Sequence, residues 1–297
     1  MSAVTGALSN ERGASALIRR HPLISYFTLA YAIMWLAISP MVIDSLGLVK
    51  IPDVLSLLSF ILSSFLGPTV AAFWVTGVLE GKAGMRQLMR RTFQFRAGLQ
   101  WYAVILFVPL MIWMGAYSLL YNGAPLANLA ANPSVLVSVF LPFVLFGLLI
   151  PSIGEEPGWR GFALPRLQKQ YGPIIGTLIL GTLHGIWHLP ALLTPMFDPF
   201  TVSGFIHFVL TAIAATFLYT WVFNNTRGSV WIAIVLHASG NAASKLTSEL
   251  IPQDVELTGW LKLLESGWIN VIAFAFIALI LIILTRGTLG YRAEQAN

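Results

Sequence analysis

The sequence predicts an all-α protein, a polytopic membrane helix bundle of about eight transmembrane helices. Of its 297 residues, 57% are hydrophobic and only 10% are charged, whereas soluble domains carry about 25% charged residues. The mean hydropathy is +0.79. Apolar spans recur along the chain, each close to the roughly 20 residues that a bilayer crossing needs. Basic residues lie mainly in alternate loops between these spans, as in membrane proteins of fixed orientation.

The chain divides into a leading segment, a membrane domain and a tail. The first apolar run is long and no small-residue cleavage pattern follows it, so we expect a retained helix and no signal peptide. The predicted segments are a polar, basic cytoplasmic lead at 1–22, one membrane domain at 23–290 and a C-terminal tail at 291–297. The predicted spans are 23–45, 54–79, 101–121, 134–155, 173–195, 204–224, 229–246 and 267–285.

The loops orient these spans. With the N-terminus inside, fourteen basic residues fall on inner segments, and only Lys50, Lys262 and, near a helix end, Lys245 fall on the outer side. This bias predicts that both termini are cytoplasmic and that the 247–266 loop is external. We therefore expect an integral protein of a prokaryotic cell membrane, with membrane lipid as a partner. Orientation also accounts for the net charge of +5, so no nucleic-acid partner is expected.

Few polar residues lie inside the spans, and composition narrows their chemistry. The chain has no cysteine, which excludes disulfides, a thiol nucleophile and cysteine metal ligands. A charge at the bilayer centre costs roughly 2.5–3.5 kcal/mol on the mildest scales, so such residues suggest a functional site. The candidates are Glu155 and Glu156, His184 and His188, and His237 and Asn241. His207, alone near an outer end, is interpreted as a hydrogen-bond partner between helices.

Helical spacing predicts how these residues meet. Residues four apart share a helix face, which pairs His184 with His188 and His237 with Asn241. If the fourth helix continues to about residue 168, Glu155 and these four side chains lie about 13–22 Å from the inner helix ends, in one layer of the cytoplasmic half of the bilayer.

The same spacing separates the two acids. Arg160 follows Glu156 by four residues, a favourable ion-pair spacing, so Glu156 is predicted to pair with Arg160. Glu155 is then left to face the histidines. Pro157 and Gly158 are expected to kink the helix, and a wet cavity would satisfy the backbone carbonyls that the kink frees.

A carboxylate and an imidazole that converge on water can activate it as a nucleophile. A second histidine with an asparagine amide can supply donors to an oxyanion. These are the parts of a peptidase that uses neither serine nor cysteine. Zinc is the alternative, with Glu155, His184, His188 and His237 as its ligands. Against it, H-G-I-W-H lacks the internal glutamate of H-E-x-x-H.

Three motifs in order, E-E-P-G-W-R-G-F, H-G-I-W-H-L-P and H-A-S-G-N, resemble those of the CPBP intramembrane proteases. This is the CAAX prenyl endopeptidase and bacteriocin-processing family, also called Abi, with motifs E-E-x-x-x-R, F-x-x-x-H and H-x-x-x-(N/B). They fall here on Glu155, Glu156 and Arg160, on His188, and on His237 with Asn241. The resemblance covers roughly 135–250, the predicted catalytic core. The chain departs from it at His184, where the family has an aromatic residue, which leaves catalysis, ligation or packing open for this side chain.

The resemblance implies endoproteolysis near the cytoplasmic membrane face, on a peptide or lipidated-protein substrate. It implies that Glu155 and His188 position the water and that His237 and Asn241 stabilise the oxyanion. Glu156 and Arg160 would support the site. No cofactor is certain, and the physiological substrate, oligomeric state and activity of this chain stay open.

Two other functions are alternatives to this one. A rhomboid-like serine protease would use Ser239 of A-S-G with His184 or His188, but His237 replaces the first glycine of the G-x-S-G motif. A transporter would use the Glu and His residues as a proton relay. The sequence shows neither inverted repeats nor paired broken helices, which are the usual indications of a transporter.

Overall fold

Helices make up nearly all of the protein. The computed structural model describes residues 13–197 and 199–292, and this part of the chain contains no strand. The first twelve residues of the predicted lead, with Arg12, and residues 293–297 of the tail lie outside the described residues. The α-helices are α1 (Ala14–Arg20), α2 (Pro22–Ser45), α3 (Asp53–Thr92), α4 (Leu99–Leu120), α5 (Ala124–Ala131), α6 (Leu141–Leu149), α7 (Pro151–Glu156), α8 (Leu164–Trp187), α9 (Val202–Asn225), α10 (Val230–Leu250), α11 (Gly259–Leu263) and α12 (Ile269–Leu284).

Shorter helical segments join some of these helices. Three are π-helical: Leu136–Phe140 leads into α6, Pro157–Ala163 joins α7 to α8, and Leu264–Trp268 joins α11 to α12. Ala191–Leu193 forms a turn of 3₁₀-helix after α8.

The all-helical membrane fold is confirmed, but the count of eight crossings is not. Among the described residues, six helical stretches are long and apolar enough to cross a membrane. One of them, Leu136–Leu193, is 58 residues long and contains two of the predicted spans. The predicted span at 229–246 corresponds to α10, which does not qualify because of its polar residues. The outer surface of the bundle is apolar, with Leu36 and Ile283 exposed, as in an integral membrane protein.

Two glycines separate apolar spans from basic segments. Gly81 has a φ of 64° and divides the apolar part of α3 from the basic residues that follow it. Gly172 has a φ of 77° and divides the amphipathic start of α8 from its apolar part. Side chains with a Cβ rarely adopt such angles, so glycine is suited to both bends. The predicted spans end and begin at these two points.

Helix α10 is the centre of the bundle. It packs against α4, α6, α7 and α9. Every residue from Ile232 to Ser239 is buried, whereas Trp231 before them is only partly buried. His237 and Ser239 on this helix are therefore surrounded by other helices and shielded from lipid. This central position explains how a helix of low hydropathy is accommodated in the membrane.

Candidate active site

The segment that carries Glu155 and Glu156 is helical well beyond the predicted end of the fourth span. After Ile150, whose backbone is not helical, α7 passes into the π-helix Pro157–Ala163 and then into α8. The predicted continuation to about residue 168 is therefore confirmed. At Pro157, where a kink is predicted, the backbone has right-handed helical angles and the helix widens into a π-helix. Single π-helical turns are frequent at functional sites.

Glu155 faces the first histidine pair. Its Oε2 atom lies 2.9 Å from Nε2 of His184 and accepts a hydrogen bond of 3.2 Å from Nε1 of Trp159. The carboxylate is buried, with 4% of its residue surface exposed. Its other oxygen, Oε1, has no hydrogen-bond partner among the described residues. One carboxylate oxygen is thus fixed by two ring nitrogens while the other remains available.

His188 completes a group of three. One donor atom from each of Glu155, His184 and His188 lies within 4.8 Å of the other two. Nδ1 of His188 lies 3.0 Å from the backbone carbonyl oxygen of His184. Because a carbonyl oxygen only accepts, Nδ1 carries the hydrogen and Nε2 of a neutral ring keeps its lone pair. That nitrogen can accept a proton or bind a metal.

Glu156 forms a separate buried cluster. Its Oε1 atom accepts a hydrogen bond of 2.9 Å from Nη1 of Arg160, which confirms the predicted pair. The same oxygen lies 2.9 Å from Nδ1 of His237. His237 therefore contacts Glu156 and does not hydrogen-bond Glu155. The two clusters are adjacent, with the rings of His184 and His237 6.4 Å apart.

Asn241 is a predicted site residue that forms no hydrogen bond with the other site residues in the described part of the chain. It is exposed, and no hydrogen bond joins it to another described residue. Its side chain lines a cavity with a volume of 620 Å³. An amide in this position is free to bind something that enters the cavity.

Two other polar residues have structural partners. Nδ1 of His207 lies 2.9 Å from the carbonyl oxygen of Ser266, which confirms its expected role between helices. Ser239 is completely buried and donates to the carbonyl oxygen of Leu106 at 3.2 Å. Its hydroxyl is therefore engaged away from His184 and His188, and this geometry does not support a serine nucleophile.

Pairs of glycines bring two of the site helices close to their neighbours. Gly154 and Gly158 face α3: a Cβ on Gly154 would lie 2.2 Å from the Ser64 carbonyl oxygen, and one on Gly158 would lie 2.5 Å from that of Pro68. Gly181 and Gly185 face α9, where a Cβ would lie 2.7 Å and 3.0 Å, respectively, from the nearest backbone atom. This is the small-xxx-small packing of membrane helices, and it fixes the helices that carry Glu155 and His184.

Two aromatic residues at the site have no role assigned from the sequence. Trp159 bonds Glu155, and its position four residues later is a signal that the sequence contained. Tyr219 on α9 has its ring 4.3 Å beneath the Arg160 guanidinium and 6.1 Å from the His237 ring. No local sequence signal indicates Tyr219, because it comes from a different helix.

Comparison with known proteins supports the resemblance. Residues 137–243 match the family model described as Type II CAAX prenyl endopeptidase Rce1-like. The CPBP resemblance is confirmed. A relative, CAAX prenyl protease 2 of Methanococcus maripaludis, is 30% identical over 143 residues. That alignment covers 46% of this chain and 49% of the relative, so the chain spans about half the length of the curated relative it matches. The segment that matches the Rce1-like model contains both glutamates, His184, His188, His237 and Asn241.

Proposed function

We propose that this protein is an intramembrane endopeptidase that hydrolyses a peptide bond with a water molecule activated by Glu155 and His188. The observation that carries the proposal is the grouping of Glu155, His184 and His188 donor atoms within 4.8 Å inside a membrane helix bundle. The CAAX protease match supports a lipidated protein or peptide as the substrate.

The first step is the activation of water. The water binds between the available Oε1 of Glu155 and Nε2 of His188, and one of these groups takes its proton as the water oxygen attacks the carbonyl carbon. His184 and Trp159 hold the second oxygen of Glu155 and so fix the direction of the carboxylate. The proton then passes to the amine that leaves, which balances the hydrolysis.

The second step is the stabilisation of the tetrahedral oxyanion. Asn241 offers a free amide, and Nε2 of His237 offers an N–H when the ring is protonated. Glu156 favours this form by accepting from Nδ1 of His237. With both glutamates ionised and Arg160 cationic, the buried groups hold one excess negative charge, which one protonated histidine balances. His237 is our assignment for that proton.

Zinc-dependent hydrolysis is a second candidate, and the same group of three residues favours it. Two ligands in a tetrahedral zinc site, each about 2.1 Å from the ion, lie about 3.4 Å apart, so donors that are up to 4.8 Å apart would need to close by up to about 1.4 Å. Glu155, His184 and His188 would hold the ion, and the ion would polarise the carbonyl and acidify water. His237 is not in this group, so the four predicted zinc ligands do not all lie close to one another.

The test is a cleavage assay with purified protein and a prenylated C-a-a-X peptide, with and without a chelator. The unprenylated peptide and the Glu155→Gln variant are the matched controls. We expect release of the terminal tripeptide by the wild type alone, and faster release from the prenylated peptide. An intact peptide in every condition, with protein that is folded by thermal unfolding, would contradict the proposal.

A further inference from the structure

The side chain of Tyr219 on α9 carries a hydroxyl group that has no partner among the described residues. The residue is partly buried, and no hydrogen bond joins its hydroxyl to another residue in that part of the chain. Buried tyrosine hydroxyls usually have a partner, as in Tyr31, which donates to the Leu183 carbonyl oxygen at 2.5 Å. The hydroxyl of Tyr219 therefore remains available to a bound molecule.

The ring of Tyr219 is held against the Glu156 cluster. The central carbon of the Arg160 guanidinium lies 4.3 Å from the ring centroid, and the face of an aromatic ring attracts a cation. The His237 ring meets the same ring edge to face, with centroids 6.1 Å apart and an interplanar angle of 81°. Arg160 is itself buried and bonded to Glu156, so it has little freedom to move. These contacts fix the direction in which the Tyr219 hydroxyl points.

The hydroxyl reaches the face of α10 that carries His237 and Asn241. A Cβ atom on Gly240 would lie 3.4 Å from the Tyr219 hydroxyl oxygen. Residues three and four apart on a helix are neighbours, so Gly240 and Asn241 both adjoin His237. Gly240 has no side chain that would cover the hydroxyl. The hydroxyl therefore lies over the stretch of α10 that runs from the histidine to the asparagine.

The depths of these residues agree with this position. Helices α9 and α10 are joined by a short turn, with Tyr219 six residues before the end of α9 and His237 seven residues after the start of α10. At 1.5 Å per residue, the two lie about 9 Å and about 11 Å from the turn. Side chains tilt towards the N-terminus of their own helix, which for Tyr219 is away from the turn. Its ring thus begins near the level of His237 and extends towards Gly240.

We propose that the Tyr219 hydroxyl donates a third hydrogen bond to the tetrahedral oxyanion, beside Asn241 and Nε2 of His237. The inference rests on the proposed function, which supplies the oxyanion. The donated hydrogen stays on the phenol oxygen, so the proton taken from water still passes to the leaving amine through Glu155 or His188. A donor aimed at the oxygen on which charge develops stabilises the transition state more than the bound substrate. The hydroxyl should therefore raise kcat and leave KM nearly unchanged.

Tyr219→Phe tests the hydroxyl by itself, because phenylalanine keeps the ring beneath Arg160. Tyr102→Phe is the matched control, since the Tyr102 hydroxyl is on the surface and donates to the Phe95 carbonyl oxygen at 2.6 Å. In the assay with the prenylated C-a-a-X peptide, we expect kcat of Tyr219→Phe to fall by about 10²-fold, as for other lost oxyanion donors. Its KM and its thermal unfolding should match those of the wild type. Tyr102→Phe should hydrolyse the peptide as the wild type does.

A second measurement does not need hydrolysis. The probe is the same peptide with a phosphinate in place of the scissile amide, which presents a tetrahedral anion to the oxyanion donors. We expect Tyr219→Phe to raise the Kd of this probe by about the factor by which it lowers kcat. Tyr102→Phe should leave that Kd unchanged.

An equal Kd for the phosphinate in wild type and Tyr219→Phe would overturn the inference, and so would the absence of phosphinate binding to either protein. A higher KM with unchanged kcat in Tyr219→Phe would also overturn it, because the hydroxyl would then serve substrate binding. A wild type that binds the phosphinate through Tyr219 but hydrolyses nothing would contradict the proposed function alone.

Discussion

Nδ1 of His237 lies 2.9 Å from Oε1 of Glu156, the same oxygen that accepts from Arg160. Glu156 therefore links a histidine of α10 to the segment that carries both acids. All three groups are buried, and the second oxygen of Glu156 and Nε of Arg160 have no partner among the described residues. Buried polar atoms of this kind commonly bind ordered water. The hydrogen-bond partners of Glu155 among the described residues are instead His184 and Trp159, which separates the roles of two neighbouring carboxylates.

The two glutamates should respond differently to substitution. Glu155→Gln removes the proposed base and should lower kcat by about 10²–10⁴-fold with little change in thermal unfolding. Glu156→Gln removes a buried charge shared by Arg160 and His237, so it should destabilise the fold by about 3–5 kcal/mol. Arg160→Ala is the matched variant and should behave like Glu156→Gln. Equal and purely catalytic losses for both glutamates would contradict this division.

Trp159 should act as a positioning residue for Glu155. Trp159→Phe removes the Nε1 donor while keeping an aromatic ring in a completely buried position. A hydrogen bond to a charged group is worth about 1.5–3 kcal/mol, so we expect kcat to fall at least about tenfold. KM should stay unchanged, because the substrate itself is not contacted. A rise in KM with unchanged kcat would instead indicate a change in substrate binding.

His184→Phe separates the two forms of hydrolysis, because it restores the residue type of the family motif. In the metal-free mechanism, activity should persist, since Glu155 and His188 remain. In the zinc mechanism, bound metal and activity should both be lost, because one of three ligands is removed. Elemental analysis of wild type and variant, together with the cleavage assay, measures both. Stoichiometric zinc in the active wild type that disappears with activity in His184→Phe would contradict the metal-free mechanism.

Gly158 should be intolerant of even one added methyl group. In Gly158→Ala the new Cβ would lie 2.5 Å from both the Pro68 carbonyl oxygen and the Tyr26 hydroxyl, so α3 and the site segment must move apart. Overpacking of this kind costs about 1–3 kcal/mol, and thermal unfolding in detergent should show it. Gly115→Ala in α4 is the control, because nothing lies within 4 Å of its Cβ position. Equal midpoints for the two variants would refute the close-packing argument.

Ser239 should be dispensable for hydrolysis. Its hydroxyl is buried and bonds the Leu106 carbonyl oxygen, so Ser239→Ala should cost about 1 kcal/mol of stability and leave kcat unchanged. Serine-directed probes should fail to label the wild type. Inactivation by Ser239→Ala in a folded protein, with probe labelling of the wild type at that residue, would restore the serine protease hypothesis.

The sequence by itself determined the relationships that one helix contains. Hydropathy predicted the membrane helices, and four-residue spacing predicted the Glu156–Arg160 pair, because helical geometry fixes which neighbours share a face. The same rule predicted that His184 and His188 lie on one face. It also applies to the hydrogen bond between Trp159 and Glu155, which was not predicted.

Only the tertiary structure decided the contacts between helices. His237 meets Glu156 and not Glu155, although adjacent residues differ only by about 100° around the helix, because the rotation and depth of α10 select the partner. Tyr219, Asn241 and the cavity depend in the same way on how α9 and α10 pack. The closeness of that packing follows from glycines whose effect appears only when a second helix is in place. The periodicity of a helix determines on which face a residue lies, but the packing of the whole bundle determines which residues that face contacts.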